Sequence, residues 1–163
     1  MIDDIEGIRR ILLTHKTIAV VGLSANWYRP SYFAAKYLQE HGYRVIPVNP
    51  RYESILGETC YPDLESIPEP VDVVDLFQRS EATPPFVESA IKIGAKLVWM
   101  QLGVHNDEAI ARAESAGLET VSNRCMKIEH GRLLGGLGLI GVTTGVVSAK
   151  RPNWFPHSGG KHA

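Results

Sequence analysis

Short, almost wholly apolar segments alternate with helix-like segments through most of this 163-residue chain, and this alternation constrains the fold more than any single motif. The apolar segments are TIAVVGL, YRVIPVNP, VDVVDLF, KLVWMQLG and LETVSN, which begin at residues 17, 43, 71, 96 and 118. A strand that is apolar along its whole length is buried on both faces, whereas a half-exposed strand alternates apolar and polar residues. The five segments therefore predict a parallel sheet that is covered by helices on both sides.

Segments with helical periodicity follow the first, third and fourth strands: SYFAAKYLQEHG, SEATPPFVESAIKIGA and NDEAIARAESAG. The segment before the first strand places Ile5, Ile8 and Leu12 on one helical face and predicts an additional N-terminal helix. Right-handed crossovers between parallel strands bring all strand carboxyl ends to the same edge of the sheet. We therefore predict an α/β fold: a three-layer, Rossmann-like parallel sheet with strand order 3-2-1-4-5.

Composition narrows the class of protein. With 44% hydrophobic and 21% charged residues, the chain suits a single globular domain. A net charge of -1 gives no surplus of Lys and Arg for nucleic acid or an anionic membrane, so we expect neither as a partner. The two cysteines, Cys60 and Cys125, lack the spacing of a metal site or a disulfide scaffold. The acidic, amphipathic N-terminus is unlike a secretion signal and no apolar run approaches ~20 residues, so we expect a cytoplasmic protein with reduced thiols.

A ligand site is expected beyond the strand carboxyl ends. In an open parallel sheet, ligands bind at the point where the strand order reverses, which the predicted order places between the first and fourth strands. The residues that follow the strands are rich in hydrogen-bond donors and lack carboxylates. The candidates among them are Gly22, Ser24, Asn49, Pro50, Arg51, Phe77, Arg79, Gln101, Gly103 and Cys125.

The loop after the first strand, GLSANWYRPS, contains one glycine, Gly22, and lacks the GxGxxG pattern of dinucleotide-binding loops. Ser24 and the N–H groups at the start of a helix near Ser31 offer another way to bind a pyrophosphate. Arg29 adds positive charge, and Pro30 restricts the backbone at this helix start.

The end of the second strand favours a phosphorylated ribose. An NAD site places Asp or Glu there to accept hydrogen bonds from the ribose hydroxyl, but this chain has Asn49 and Arg51. Arginine offers paired donors to phosphate oxygens. NADP, with a 2′-phosphate, and coenzyme A, with a 3′-phosphate, both fit. Asn49 before Pro50 is also typical of an Asx turn.

Four stretches carry a resemblance to a known family. They are IAVVGLSANWYRPSYFAAKYLQEHGYRVIPVNPRYESILGETCYPDLESIP, VDVVDLFQRSE, VWMQLGV and RCMKIEH, in that order, and the resemblance covers roughly residues 5 to 135. They resemble the small CoA-binding domain proteins, whose Rossmann-like fold is also that of the N-terminal domain of the succinyl-CoA synthetase alpha subunit.

The resemblance implies that coenzyme A or an acyl-CoA is the cofactor and that the chain has no catalytic activity alone. Adenosine, ribose and phosphates would contact Gly22, Ser24, Arg29, Asn49, Pro50, Arg51, Phe77 and Arg79. Pantetheine would extend past Gln101 and Gly103. An NADP-binding oxidoreductase module is the alternative. Residues 1–150 are then the CoA-binding domain and residues 151–163 a disordered tail, while a protein partner is left open.

Two further residues have alternative interpretations. Cys125 lies between Arg124 and Lys127, and a cationic setting at a helix start favours a reactive thiolate that could form a mixed disulfide with CoA. The alternative is a buried, inert cysteine beside Met126 and Ile128. His130 has no evident nucleophilic partner in the sequence, and we interpret it as a structural histidine.

Overall fold

The computed structural model of the protein describes residues 1–136. The predicted tail, residues 151–163, and the last part of the predicted domain lie outside the described residues. The helices are α1 (Ile5–Thr14), α2 (Pro30–Glu40), α3 (Thr83–Lys92), α4 (Asp107–Ser115) and α5 (Met126–Leu133), with a short 3-10 helix at Ser80–Ala82. The strands are β1 (Thr17–Val21), β2 (Arg44–Val48), β3 (Ser54–Ile55), β4 (Glu58–Thr59), β5 (Val73–Leu76), β6 (Leu97–Met100) and β7 (Glu119–Val121).

The parallel five-stranded sheet of the predicted α/β class is confirmed, but its predicted strand order is wrong. The order is β2-β1-β5-β6-β7, so the third main strand, β5, pairs with β1 instead of flanking β2. Val21 in β1 therefore has Val48 on one side and Leu76 on the other. The chain moves outward from β1 to β2 and then in the opposite direction from β5 to β7. The reversal point lies between β1 and β5, not between the first and fourth main strands.

Pro47 gives a physical reason for this order. It lies in β2 and has no N–H to donate, so proline is tolerated in a sheet where that side faces away from a neighbouring strand. The Pro47 carbonyl accepts a hydrogen bond from the Tyr61 N–H at 2.9 Å, and Val48 forms an isolated parallel bridge with Tyr61. The side of β2 opposite β1 thus carries a single bridge. The predicted order required a full strand there.

Helices cover the sheet on both faces. Buried residues of α1, α2 and α5, such as Ile11, Leu38 and Met126, form one core with β1, β5 and β6 side chains. Buried residues of α3 and α4, such as Val87 and Ile110, form the second core on the opposite face. Each strand contributes to both cores because its side chains alternate between the faces. This is the predicted three-layer arrangement.

The predicted N-terminal helix is α1. Asp4 caps it, since its Oδ1 accepts a hydrogen bond from the Gly7 N–H at 2.7 Å. Ile8 and Leu12 are buried as expected, but Ile5 is largely exposed and Ile11 occupies the buried face. Within residues 1–136, no helix combines the length and apolar character needed to cross a bilayer.

Candidate functional site

A cleft of about 1040 Å³ opens at the carboxyl edge of the sheet, across the reversal point between β1 and β5. All candidate residues except Gly103 line it: Gly22, Ser24, Arg29, Asn49, Pro50, Arg51, Phe77, Arg79, Gln101 and Cys125. The sequence reasoning missed the other lining side chains, including Tyr52, Gln78 and Phe86. Topology explains the convergence, because parallel strands deliver their following loops to the same edge.

The loop after β1 is held by its own hydrogen bonds. The Ser24 N–H donates to Ser31 Oγ at 3.1 Å, and Ser24 Oγ accepts from the Asn26 N–H at 3.1 Å. Gly22 has a φ of +83°, and a Cβ there would lie 2.5 Å from the Phe77 carbonyl oxygen. Glycine is required at this position because β1 and β5 are neighbours and their loops nearly touch. The Ser24 N–H is therefore already bonded, whereas its hydroxyl hydrogen can still be donated to a ligand.

The N-terminus of α2 borders the cleft one residue from the predicted start. Arg29 is the N-cap and Pro30 the first helical residue, and no side chain caps this end. The first turn of a helix carries a partial positive charge and N–H groups without partners in the helix. An anion in the cleft beside Arg29 would receive both contributions.

Asn49 organises the end of β2. Its Nδ2 donates to the Leu23 carbonyl at 3.0 Å, and its Oδ1 accepts from the Arg51 N–H at 3.0 Å. The second bond is the expected Asx turn. Its carbonyl accepts from Cys60 Sγ at 3.4 Å. Asn49 thus fixes the loop after β1 against the loop after β2, and it orients the Arg51 backbone at the cleft.

Three arginines give the cleft its charge. Arg29, Arg51 and Arg79 follow β1, β2 and β5 respectively, and all three are exposed. Within residues 1–136 none of them forms an ion pair, whereas Arg124 is paired with Asp3 and Glu129. Guanidinium groups without a carboxylate partner are suited to bind phosphate in two-pronged geometry.

Asp75 is the residue that the sequence analysis overlooked. It lies in β5, is fully buried, and accepts a hydrogen bond through Oδ1 from Gln101 Nε2 at 2.8 Å. Its Oδ2 has no hydrogen-bond partner among residues 1–136. Burial raises the pKa of Asp75 to about 7, and the Gln101 bond acts in the opposite direction. The signal was present in the sequence, since Asp75 interrupts an otherwise apolar strand.

The expectation of a lowered pKa at Cys125 is wrong. Cys125 is the N-cap of α5, and its thiol pKa is raised, mainly by burial and also by the nearby charge of Asp75. The N–H groups of Ile128 and Lys127 and the Lys127 ammonium act in the opposite direction. Arg124 contributes little because its guanidinium turns away to Asp3 and Glu129. Cys125 is therefore a protonated thiol at neutral pH.

Gly103 lies beside the cleft without lining it. Its N–H donates to Asn123 Oδ1 at 2.7 Å, which closes the loop after β6 onto the loop after β7. The structural interpretation of His130 agrees with its surroundings. His130 Nδ1 lies 3.0 Å from the Tyr37 hydroxyl, and its ring packs edge-on against Tyr43. Among residues 1–136 no group of three His, Cys, Asp or Glu side chains is arranged to hold a metal ion.

A Ser–His–Asp chain lies outside the cleft. His105 Nδ1 is 2.7 Å from Ser122 Oγ, and His105 Nε2 is 2.9 Å from Asp107 Oδ1. The Ser122 hydroxyl also donates to the Val104 carbonyl at 3.2 Å, and Asp107 is 95% exposed. A nucleophilic triad needs a buried carboxylate that orients the histidine. This chain of bonds is better suited to fix the loop between β6 and α4.

Known proteins of similar sequence share a ligand in their names. Residues 16–131 match the CoA binding domain family. The Bacillus subtilis (strain 168) protein YneT is 37% identical over 123 residues, which are 76% of this chain and 91% of that protein. The ADP-forming acetate–CoA ligase I of Archaeoglobus fulgidus is 29% identical over 121 residues, which are 68% of this chain but only 18% of the ligase.

Solved structures of similar chains support the same relationship. A protein from Pyrococcus horikoshii OT3 has a TM-score of 0.79 and 52% identity, with 80% of this chain and 92% of that chain covered. A Thermus thermophilus protein has a TM-score of 0.77 and 35% identity, with 80% and 99% covered. The family match spans most of the chain and includes every element from β1 to β7. The chain therefore belongs to the CoA binding domain family.

Proposed function

We propose that this protein binds coenzyme A or an acyl-CoA non-covalently in the cleft at the carboxyl edge of the sheet, and that it does not turn over a substrate alone. The observation that carries the proposal is one continuous cleft with three arginines free of ion pairs within residues 1–136 and a shielded thiol in its wall. A ligand that combines several phosphates with a long, mainly uncharged arm fits this distribution of charge. Family membership favours CoA as that ligand.

The cleft suggests an orientation for the ligand. Arg29, Arg51 and Arg79 follow β1, β2 and β5, where the adenosine and phosphates of CoA would lie. Gln101 and Cys125 lie on the far side of β5 in the sheet order. Since β2 and β6 are three strand spacings apart, the cleft extends for roughly 14 Å along the sheet edge. The pantetheine arm would extend over this distance toward Gln101.

The alternative ligand is NADP, which Arg51 could also bind through its ribose phosphate. The described domain offers no second lobe to close over a nicotinamide ring, and hydride transfer needs a closed, water-free site. The absence of turnover is proposed because the acetate–CoA ligase matched by this chain is far longer, and the chain spans only 18% of it.

Isothermal titration calorimetry with CoA and with NADP tests the proposal. We expect CoA to bind and NADP to give no measurable heat. Tight NADP binding without CoA binding would refute the assignment. Arg112→Ala is a matched control, because Arg112 is paired with Glu88 on α3, away from the cleft, and its loss should leave CoA affinity unchanged.

A further inference from the structure

A small group of side chains at the far end of the cleft has no role in phosphate binding. Gln101, Cys125 and Ile128 form this part of the wall, and the fully buried Asp75 lies beneath them. Gln101 Nε2 holds Asp75 Oδ1 at 2.8 Å and thereby fixes the carboxyl group. A buried carboxyl in a strand core is unfavourable, so this one is not explained by packing.

The second oxygen of Asp75 is the unexplained feature. Oδ2 is buried and has no hydrogen-bond partner among residues 1–136. A buried oxygen without a donor costs about 1–3 kcal/mol, so a donor that arrives with a ligand or a reaction would remove that cost. The nearby thiol of Cys125, whose pKa is affected by the Asp75 charge, carries such a proton.

Cys125 has the position of a nucleophile. It is the N-cap of α5 and lines the cleft, toward which the pantetheine arm of the proposed ligand would extend. Its thiol is protonated at neutral pH because burial raises its pKa, so it needs a base in order to attack. The pKa of Asp75, about 7, suits a base that acts near neutral pH.

We propose that Cys125 accepts the acyl group of a short-chain acyl-CoA bound in the cleft, with Asp75 as the base that takes the thiol proton. The Cys125 sulfur attacks the thioester carbonyl, the bond between the carbonyl carbon and the CoA sulfur breaks, and Asp75 returns the proton to the departing CoA thiolate. The products are acyl-Cys125 and CoA, and no oxidant or other reactant is needed.

This inference rests on the proposed function, because the acyl-CoA must first bind. One thioester replaces another, so the exchange is nearly balanced in free energy, and excess acyl-CoA drives acylation. Without a second acceptor the reaction stops after one acyl group per chain. It therefore agrees with a protein that does not turn over a substrate alone.

The test is incubation of the full chain with excess acetyl-CoA, followed by intact-protein mass measurement under acid conditions. We expect a mass gain of one acetyl group, which neutral hydroxylamine removes, as it does for thioesters. Cys125→Ser should abolish the adduct while still binding CoA by calorimetry. Cys60→Ser is the matched control, because Cys60 Sγ is hydrogen-bonded to the Asn49 carbonyl outside the cleft lining, and this variant should keep the adduct.

The dependence on pH tests the role of Asp75. In the wild type, the acylation rate should rise up to about pH 7 and then level off, since Asp75 is then ionised. Asp75→Asn should slow acylation by about 100-fold at pH 7, the scale of general-base catalysis, and its rate should keep rising with pH as the thiol ionises unaided. The other charged group near the thiol is Lys127, which stays protonated across this range.

The outcomes separate the two proposals. CoA binding without an acetyl adduct, or with the adduct on Cys60 or a lysine, would overturn the inference and leave the proposed function standing. An adduct with the mass of CoA itself would be a mixed disulfide and would also overturn it. Absence of CoA binding would refute the proposed function and the inference together.

Discussion

The side chain of Arg51 follows β2, and the Asx turn of Asn49 holds its backbone N–H at 3.0 Å. The loop is thus fixed while the guanidinium is free of ion pairs within residues 1–136. We expect Arg51 to bind the ribose phosphate that distinguishes CoA from dephospho-CoA. A ligand that lacks this phosphate should not respond to loss of the arginine.

Arg51→Ala should weaken CoA binding by about 1.5–3 kcal/mol, the range for a hydrogen bond to a charged group. Dephospho-CoA affinity should change little. Calorimetry of both ligands on wild type and variant measures the two differences. Equal losses for both ligands would mean that Arg51 contacts another phosphate or only shapes the loop.

At the scale of elements, α5 places Cys125 at the cleft through a buried ion-pair group. Glu129 is fully buried and bonds Arg132 at 2.6 Å and Arg124 at 3.3 Å. Arg124 also bonds Asp3, which precedes α1. This group fixes α5 against the N-terminal segment of the chain, and its loss would leave buried guanidinium groups uncompensated.

Glu129→Gln should lower the free energy of unfolding by about 3–5 kcal/mol, because removing one partner leaves a buried charge without compensation. The matched control is Glu88→Gln, which breaks a half-exposed pair with Arg112 and should cost less than about 1 kcal/mol. Urea unfolding of both variants gives the two values. Similar values for the two variants would show that the buried group contributes no more than a surface pair.

At the scale of the whole molecule, Asp75 makes stability depend on pH. Its pKa is about 7 in the folded protein and near 3.8 when exposed, so between these values the folded chain binds more protons than the unfolded chain. Its contribution therefore favours folding at pH 5 and is lost as the pH rises toward 8. The lowered pKa of His130, which burial causes, acts in the opposite direction.

Comparison with Asp75→Asn isolates the carboxyl, because the histidines are common to both proteins. The wild type should lose stability relative to the variant between pH 5 and pH 8, by roughly 4 kcal/mol at most. Urea unfolding at the two pH values measures the difference. A constant difference between the two proteins would show that Asp75 is ionised in the folded state at both pH values.

Much of the architecture followed from local patterns. Apolar runs and helical periodicity predicted α1 and α2, the five main strands and three layers, because these depend on how neighbouring residues alternate along the chain. Strand ends then predicted which residues meet at the sheet edge, and all but Gly103 line the cleft. Motif resemblance supplied the family, since spacing alone left NADP and CoA equally acceptable.

Tertiary structure decided the features that depend on contacts between distant residues. The order of strands is a choice of partners, and β5 pairs with β1 because the far side of β2 is restricted by Pro47 and occupied by Tyr61. Proline in a strand was a readable signal for an edge, but the prediction did not use it. The pKa directions of Asp75 and Cys125 follow from burial and from partners that the sequence does not place, such as Gln101. Sequence alone thus determined the elements and the site's edge, whereas packing determined its chemistry.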